Sequence, residues 1–222
     1  PSLVEQESDM FKRVLIANRG EIAIRIARAA SELGLESVSV HASVDRLALH
    51  TRYTTETREI TGEGAIGAYL SIDEMLRVAS ETGCDCVHPG YGFLSENPEF
   101  AQRCQDVGLT FVGPSPEALT LFGDKVASRD LAVVQGIPVV PGSDSTVTSA
   151  DDAAAFAVQV GFPVMLKAAA GGGGRGMRAV HAAEELAEAF ERCQSEAEAA
   201  FGNGAMFVEK LVERPRHIEV QV

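Results

Sequence analysis

Hydrophobic and polar positions along the first half of the chain alternate between two patterns. Short apolar runs such as RVLIA and ESVSVHA are separated by longer stretches such as EIAIRIARAASELG, whose apolar residues recur every three or four positions. The first pattern is typical of buried strands and the second of amphipathic helices. Their alternation from Arg13 onward predicts an α/β fold over residues 11–123, a doubly wound parallel sheet with helices on both faces. Glycines at 34, 83 and 108 are predicted to end three of the helices.

The pattern changes after Gly123. A helix is predicted from about Asp124 and a second over SADDAAAFAVQVG, and the β runs PVMLKAA and MRAV flank a glycine-rich loop, which predicts a hairpin. A long helix over EELAEAFERCQSEAEAAF and a strand over AMFVEKLV follow. We therefore expect a smaller α+β unit over residues 124–212. The last run, HIEVQV, predicts a strand of a further part that starts at residue 213, so the chain reads as a fragment.

Composition and charge narrow the classes of function. The chain has 19 Lys and Arg against 32 Asp and Glu, and its net charge of -13 would repel a nucleic acid. Its four irregularly spaced cysteines indicate reduced, buried thiols rather than a disulfide scaffold or a zinc site. No apolar run is long enough to span a membrane, and residues 1–10 form a polar tail without the pattern of a signal peptide. These features predict no nucleic-acid or membrane partner and a cytoplasmic location, with the mitochondrial matrix also compatible.

The stretch KAAAGGGGRGMR, residues 167–178, has more than one interpretation. It contains the string G-x-G-x-x-G, but a dinucleotide site needs a helix directly after that string, and here MRAVH continues as a strand. A P-loop needs Lys and then Ser or Thr after its last glycine, where Met177 stands. Two interpretations remain, a flexible hairpin tip or a loop whose N–H groups lie against a phosphate. The flanking charges of Lys167 and Arg175 favour the phosphate.

Six motifs, in order along the chain, resemble the biotin carboxylase family. They are ANRGEIAIRI, HPGYGFLSENPEF, FVGPSPEALTLFGDK, VPGS, KAAAGGGGRGMR and EKLVERPRHIEVQV. The resemblance is colinear over residues 11–222 and implies an ATP-grasp architecture. Its expected parts are a Rossmann-like N-terminal domain, a small lid that carries the glycine hairpin, and a C-terminal part of which only the first strand lies in this chain.

The resemblance implies an ATP site in the second half of the chain. The family's phosphate-facing lysines match Lys125, in FGDK, and Lys167, and a fixed ammonium stabilises the charge that develops on transferring phosphoryl oxygens. From composition alone Lys125 would be a solvated helix residue. The other matching positions are Gly173 and Gly174 over the phosphates, Glu209, Lys210, Leu211 and Val212 beside the adenine, and His217, which from its context alone would be a surface histidine.

The motif HPGYGFLSENPEF, residues 88–100, is a turn-rich loop that follows a strand, where α/β domains bind their ligands. The resemblance places Tyr91 and Gly92 at a biotin and bicarbonate pocket, whereas the alternative is that Tyr91 caps the hydrophobic core. One departure from the family lies elsewhere. Ala169 and Ala170 stand where the family often has Ser and then Gly.

Three charged residues form a stripe on the first predicted helix. Arg25, Arg28 and Glu32 recur at i, i+3 and i+7, which places them on one side of the helix. The stripe is either a solvated face with internal ion pairs or, as matching family residues imply, part of a homodimer interface. The preceding turn, NRGE, has one glycine and therefore lacks a dinucleotide fingerprint.

The resemblance implies a ligase that uses ATP and bicarbonate to carboxylate biotin on a carrier domain, the first half-reaction of an acyl-CoA, pyruvate or urea carboxylase. The implied cofactors are ATP and Mg²⁺, with carrier-bound biotin as the substrate, and the implied partners are the carrier, a carboxyltransferase and a second copy of the module. The alternatives are another ATP-grasp ligase, such as a carbamoyl phosphate synthase, and a non-catalytic relative.

The family supplies its metal ligands, its bicarbonate ligands and its catalytic base from strands beyond HIEVQV. We therefore expect no catalytic residue and no metal ligand within these 222 residues, and the isolated chain is expected to be inactive. The final carboxyl acceptor is decided outside this sequence.

Overall fold

The computed structural model describes residues 11–143, 145–169, 176–216 and 218, with the backbone alone described at residues 65, 125, 126 and 201. The described residues form two compact units, one that ends at Gly123 and one that begins at Asp124. Most of the predicted strand HIEVQV lies outside the described residues.

The first unit contains a five-stranded parallel sheet. Its strands are β1 (Arg13–Ile16), β2 (Glu36–His41), β3 (Glu56–Glu59), β4 (Cys86–His88) and β5 (Thr110–Phe111), in the order β3-β2-β1-β4-β5. Every neighbouring pair of strands is parallel. The helices are α1 (Gly20–Glu32), α2 (Gly64–Tyr69), α3 (Ile72–Thr82), α4 (Pro98–Asp106) and α5 (Pro116–Gly123), with two short 3₁₀ helices at Ser43–Asp45 and Leu49–Arg52.

Helices cover both faces of this sheet, as the hydrophobic pattern predicts. Successive side chains of a strand point to opposite faces. Leu15 of β1 accordingly lies in one apolar cluster with Met75 of α3 and Phe100 of α4, whereas Ile16 packs against Ala23 of α1 in another. The doubly wound α/β prediction is confirmed.

The predicted helix ends are also confirmed. Gly34, Gly83 and Gly108 have φ angles of +75°, +65° and +75°, in the left-handed region where glycine pays no steric penalty. The N-termini of α3 and α4 are capped by Ser71 and Asn97, each of which accepts a hydrogen bond from the backbone N–H three residues further along.

The edge strand β3 was not predicted. Its sequence, ETRE, has no hydrophobic residue and no apolar alternation. The strand forms because it pairs with β2 and because Glu56 makes ion pairs with both Arg13 and Arg58. Charged side chains are typical of sheet edges, where they discourage pairing with another chain.

The second unit is built on a three-stranded antiparallel sheet. Its strands are β6 (Val164–Ala168), β7 (Met177–Val180) and β8 (Met206–Lys210), in the order β7-β6-β8. The predicted hairpin of β6 and β7 is confirmed by their antiparallel pairing. The helices are α6 (Lys125–Val134), α7 (Ala150–Val160) and α8 (Ala183–Phe201).

The core of the second unit lies between this sheet and its two long helices. Leu186, Phe190 and Cys193 of α8 are buried together with Leu166 of β6 and Val208 of β8. The free edge of β8 is extended by the loop before α7, because Gly142 and Val147 form isolated β-bridges with β8. This loop is therefore fixed against the strand that carries the expected adenine segment.

Two further sequence-based expectations can be compared with the structure. All four cysteines are free, three of them buried and Cys84 half-buried, as predicted for reduced thiols. Among the helices that the structure describes, none has the length and apolar character needed to cross a membrane.

Candidate functional site

The pairing of β6 with β8 brings Lys167 and Glu209 together. Lys167 stands opposite Phe207, and Glu209 lies two positions further along β8, so the two side chains are diagonal neighbours on one face of the sheet. The Nζ of Lys167 donates to Oε2 of Glu209 in an ion pair. Their side chains are 33% and 29% exposed, so the pair is partly withdrawn from water. The predicted phosphate-facing lysine is thus held by the predicted adenine segment.

A small opening of about 30 Å³ lies beside this ion pair. That volume has room for water but not for a nucleotide. Its walls combine two cationic side chains with one carboxylate and a strip of backbone. The lining residues are Arg129, Gly142, Ser143, Lys167, Phe207 and Glu209. Neither the motifs nor composition pointed to Arg129, because its role depends on contacts to backbone oxygen atoms.

Arg129 fastens helix α6 to the loop that borders β8. Its Nη1 donates to the carbonyl oxygen of Val140 at 2.5 Å, and its Nη2 donates to that of Gly142 at 3.3 Å. The same loop is bonded to β8, since the N–H of Ser143 donates to the oxygen of Val208 at 2.8 Å. The guanidinium therefore fixes the wall of the opening that faces the ion pair.

Lys125 is the first residue of α6, and its side chain lies outside the described atoms. Asp124 immediately precedes the helix, and its carboxylate accepts from the N–H of Ala127 at 3.1 Å. Because Lys125 precedes Arg129 by four residues, both lie on the same side of α6.

The expected adenine segment, residues 209–212, is already engaged in internal hydrogen bonds. The N–H of Lys210 donates to the oxygen of Pro141 at 2.7 Å, and the N–H of Leu211 donates to that of Pro163 at 3.1 Å. The ammonium of Lys210 donates to the oxygens of Gly161 and Phe162 at 2.8 and 2.9 Å. Within the described part of the chain, the N–H of Val212 makes no hydrogen bond to another protein group.

Three predicted ATP-site residues, Gly173, Gly174 and His217, lie outside the described residues. The part of the chain that the structure describes contains no group of three or more His, Cys, Asp or Glu side chains that could hold a metal ion.

The loop after β4, residues 89–97, meets the loop after β1 at the point where the strand order reverses, the usual ligand position of a doubly wound sheet. The buried Asn18 joins the two loops, because its Nδ2 donates to the oxygens of Pro89 and Tyr91 at 2.7 and 2.8 Å. Gly90 allows this approach. A Cβ at that position would lie 2.9 Å from the Asn18 amide nitrogen.

Tyr91 is exposed, with 54% of its surface accessible. Its hydroxyl donates to Oε1 of Glu21 at 2.6 Å, and this hydrogen bond raises the pKa of Tyr91. The alternative that Tyr91 caps the hydrophobic core is therefore wrong. Gly92 follows with φ of +68°, and the pair presents an open surface at the end of β4.

Phe93 anchors this loop from below. Its φ of +46° is strained for a bulky residue. Its ring stacks on that of Tyr69 with 5.2 Å between centroids, and the Arg19 guanidinium lies 5.3 and 5.9 Å from the two rings. Arg19 and the Tyr69 hydroxyl each bond to Oδ2 of Asp45 at 2.8 Å. Burial opposes ionisation of Asp45, but these two hydrogen bonds outweigh it and lower its pKa.

The α1 stripe is solvent-exposed. Arg28 lies over the ring of Tyr53, with 5.0 Å from Cζ to the centroid. Among the described residues, Arg25, Arg28 and Glu32 form no ion pair, so the stripe is a solvated face, as one of the two interpretations predicts, but without the internal ion pairs. Arg25 borders an open apolar groove of about 390 Å³, whose rim includes the exposed Leu33.

Two family models match nearly the whole chain. The model described as the N-terminal domain of biotin carboxylase matches residues 10–119, and the one described as the ATP-binding domain of the carbamoyl-phosphate synthase L chain matches residues 124–222. The first match distinguishes the chain from an ATP-grasp ligase that lacks a biotin carboxylase domain.

Curated relatives agree with this assignment. Mitochondrial pyruvate carboxylase of Mus musculus is 52% identical over all of this chain and 19% of its own length. One pyruvate carboxylase subunit of Methanothermobacter thermautotrophicus is 48% identical over 96% of this chain and 43% of its own length. The chain thus spans from about a fifth to less than half of these relatives.

Solved structures show the same likeness. The biotin carboxylase domain dimer of Hydrogenobacter thermophilus 2-oxoglutarate carboxylase, in complex with MgADP, ADP and bicarbonate, has a TM-score of 0.85 and 42% identity over 92% of this chain and 45% of its own. Campylobacter jejuni biotin carboxylase, in a beta-gamma-ATP complex, has a TM-score of 0.87 and 42% identity over 93% of this chain and 46% of its own. The chain therefore belongs to the biotin carboxylase family, and it corresponds to the N-terminal portion of the longer proteins in that family.

Proposed function

We propose that this chain forms part of a biotin carboxylase, a ligase that uses ATP and bicarbonate to carboxylate biotin on a carrier domain. The observation that carries the proposal is the position of Lys167. Its ammonium lies at the base of the glycine hairpin, partly withdrawn from water and held by a carboxylate of the adenine segment. A cation in such a place is preorganised to stabilise charge on a phosphoryl group.

The proposed nucleotide site lies in the second unit. Lys125 and Lys167 face the phosphates, and the backbone of Gly173 and Gly174 covers them. Glu209, Lys210, Leu211 and Val212 border the base, where the N–H of Val212 is available to a ring nitrogen, and His217 completes the nucleotide site. Mg²⁺, when bound, would neutralise phosphate charge, and its protein ligands are expected in the part of the family's fold that follows residue 222.

The proposed biotin and bicarbonate side is the loop after β4, where Tyr91 and Gly92 form an exposed surface beside Glu21. In domain terms, we propose an N-terminal α/β domain at 11–123, a linker helix and lid at 124–212, and the start of the C-terminal ATP-grasp part at 213–222.

The acceptor proposed for the carboxyl group is pyruvate. Curated relatives with 47% to 52% identity are pyruvate carboxylases.

The proposed partners are a biotin carrier, a carboxyltransferase and a second copy of the module. Support for the second copy is the exposed stripe of Arg25, Arg28 and Glu32, together with the dimeric state of the Hydrogenobacter domain.

ADP release by the complete protein that carries this sequence tests the proposal. We expect ADP release that requires bicarbonate and rises when free biotin is added, and pyruvate rather than an acyl-CoA or urea should accept the carboxyl group. ATP hydrolysis that does not depend on bicarbonate would contradict the proposed function. Carboxylation of another acceptor would contradict only the assignment of pyruvate.

A further inference from the structure

Among the described residues, Arg129 forms hydrogen bonds but no ion pair. A guanidinium has five N–H donors. The described contacts of Arg129 are two hydrogen bonds to the backbone oxygens of Val140 and Gly142, and no carboxylate of the described residues lies within ion-pair distance of it. It nevertheless lines the same small opening as the Lys167–Glu209 ion pair.

The geometry around Gly142 shows how near Arg129 lies to Glu209. A Cβ on Gly142 would be 3.1 Å from Cγ of Glu209 and 3.2 Å from Nη1 of Arg129. Because both atoms lie within 3.2 Å of one point, they can be separated by at most twice that distance. The carboxylate of Glu209 extends beyond Cγ, so the guanidinium lies within the range that this side chain can cover by turning.

Nucleotide binding would leave the negative charge of Glu209 without its positive partner. If Lys167 turns toward a phosphate, as the proposed function requires, Glu209 loses its partner while most of its side chain is shielded from water. An unpaired carboxylate in that position is unfavourable, and its attraction would hold Lys167 back. A second cation beside Glu209 removes this penalty.

We propose that Arg129 is a positioning residue that takes over Glu209 when Lys167 engages the nucleotide phosphates. The inference rests on the proposed ATP site. No covalent bond changes in this step, since the carboxylate only exchanges one cationic partner for another. The absence of a side chain at Gly142 keeps the path between Glu209 and Arg129 open.

A double-mutant cycle on the KM for ATP in the complete protein tests the exchange. We expect Arg129→Gln to raise this KM about tenfold when Glu209 is present and to have little effect in a Glu209→Gln background, because a neutral side chain needs no cation. Arg129→Lys should recover part of the affinity. Arg192→Gln, which alters an exposed arginine paired with Glu188 on α8, is the matched control and should leave the KM unchanged.

A merely structural role for Arg129 gives a different result. If Arg129 only fastens the loop at Val140 and Gly142, Arg129→Gln will raise the KM equally with Glu or Gln at position 209. That outcome would overturn the inference.

A nucleotide-free measurement separates this inference from the proposed function. In a Lys167→Met protein, Glu209 should depend on Arg129, so the effects of Arg129→Gln and Glu209→Gln on thermal unfolding should be non-additive. With Lys167 present they should be closer to additive. If these effects are non-additive but the complete protein does not bind ATP, the proposed function is contradicted and the contact of Arg129 with Glu209 is still supported. Additive effects in the Lys167→Met protein would overturn the inference whatever the ATP assay shows.

Discussion

Tyr69→Phe is expected to destabilise the first unit although it removes a single oxygen atom. The hydroxyl of Tyr69 is fully buried, donates to Oδ2 of Asp45 at 2.8 Å and accepts from the N–H of Ala42 at 3.2 Å. Burial raises the pKa of Tyr69, so the hydroxyl stays protonated and remains a donor. The substitution keeps the ring and its stacking on Phe93, so the hydrogen bonds alone are tested.

The magnitude follows from the two partners. A hydrogen bond to a charged group contributes about 1.5–3 kcal/mol, and a buried N–H without an acceptor costs about 1–3 kcal/mol. Asp45 keeps its bond to Arg19, and effects at shared partners do not add fully. We therefore expect a loss of about 2–4 kcal/mol. Since about 1.4 kcal/mol corresponds to a factor of ten, the open state should become more populated by about 30-fold or more.

Hydrogen–deuterium exchange resolved by peptide measures this change. Peptides from β2 and from the loop after β4 should exchange faster in Tyr69→Phe, whereas peptides from the second unit should not change. Tyr53→Phe is the control, because Tyr53 is 41% exposed and its hydroxyl lies at a long 3.4 Å from Arg28. If the two variants exchanged alike, the account of the Asp45 network would be refuted.

Three further outcomes are expected. Lys167→Gln in the complete protein should lower kcat/KM for ATP by an amount equivalent to about 2–4 kcal/mol of transition-state stabilisation, and an unchanged value would exclude its role at the phosphates. Burial lowers the pKa of His88, whose Nδ1 accepts from the N–H of Gly90 at 3.0 Å, so its contribution to stability should be complete above about pH 6.5 and decrease as the pH falls further. In His88→Gln the free energy of unfolding should therefore vary less between pH 7.5 and pH 5 (about the range in which histidine titrates), and an unaltered slope would contradict this. The isolated 222-residue chain should release no ADP above background with bicarbonate present, and clear turnover would show that the catalytic groups lie within it.

The strands and helices could be predicted from the sequence wherever their burial produces a pattern of apolar residues. The strands β1, β2 and β4 have apolar runs because helices cover the sheet there, and the glycines that end the helices occupy a backbone conformation that other residues avoid. The strand β3 leaves no such pattern. Its residues are half-buried or exposed at an edge. They are held by pairing with β2 and by the ion pair of Glu56 with Arg13, and both depend on residues distant in sequence.

Some members of the candidate site were predictable from the sequence, but other members and the contacts between them were not. The family motifs identified Lys167 and Glu209, but their pairing depends on the register of β6 against β8, which local sequence does not specify. Arg129 has no motif because it contacts backbone oxygens that any residue could supply. Phe93 was missed for a related reason, since a left-handed aromatic residue contradicts the local preference and is stabilised only by the rings and charges beneath it.

The anchoring of the loop after β4 determines how that loop can contribute to binding. Asn18 holds it at Pro89 and Tyr91, Glu21 holds the Tyr91 hydroxyl, and the ring of Phe93 is fixed on Tyr69. A segment fastened at so many points has already lost most of its conformational entropy during folding, so a ligand that contacts it does not have to order it. We expect the loop to act as a preformed surface, which binds a ligand without first opening or rearranging. Any movement that encloses a substrate must then come from elements other than this loop.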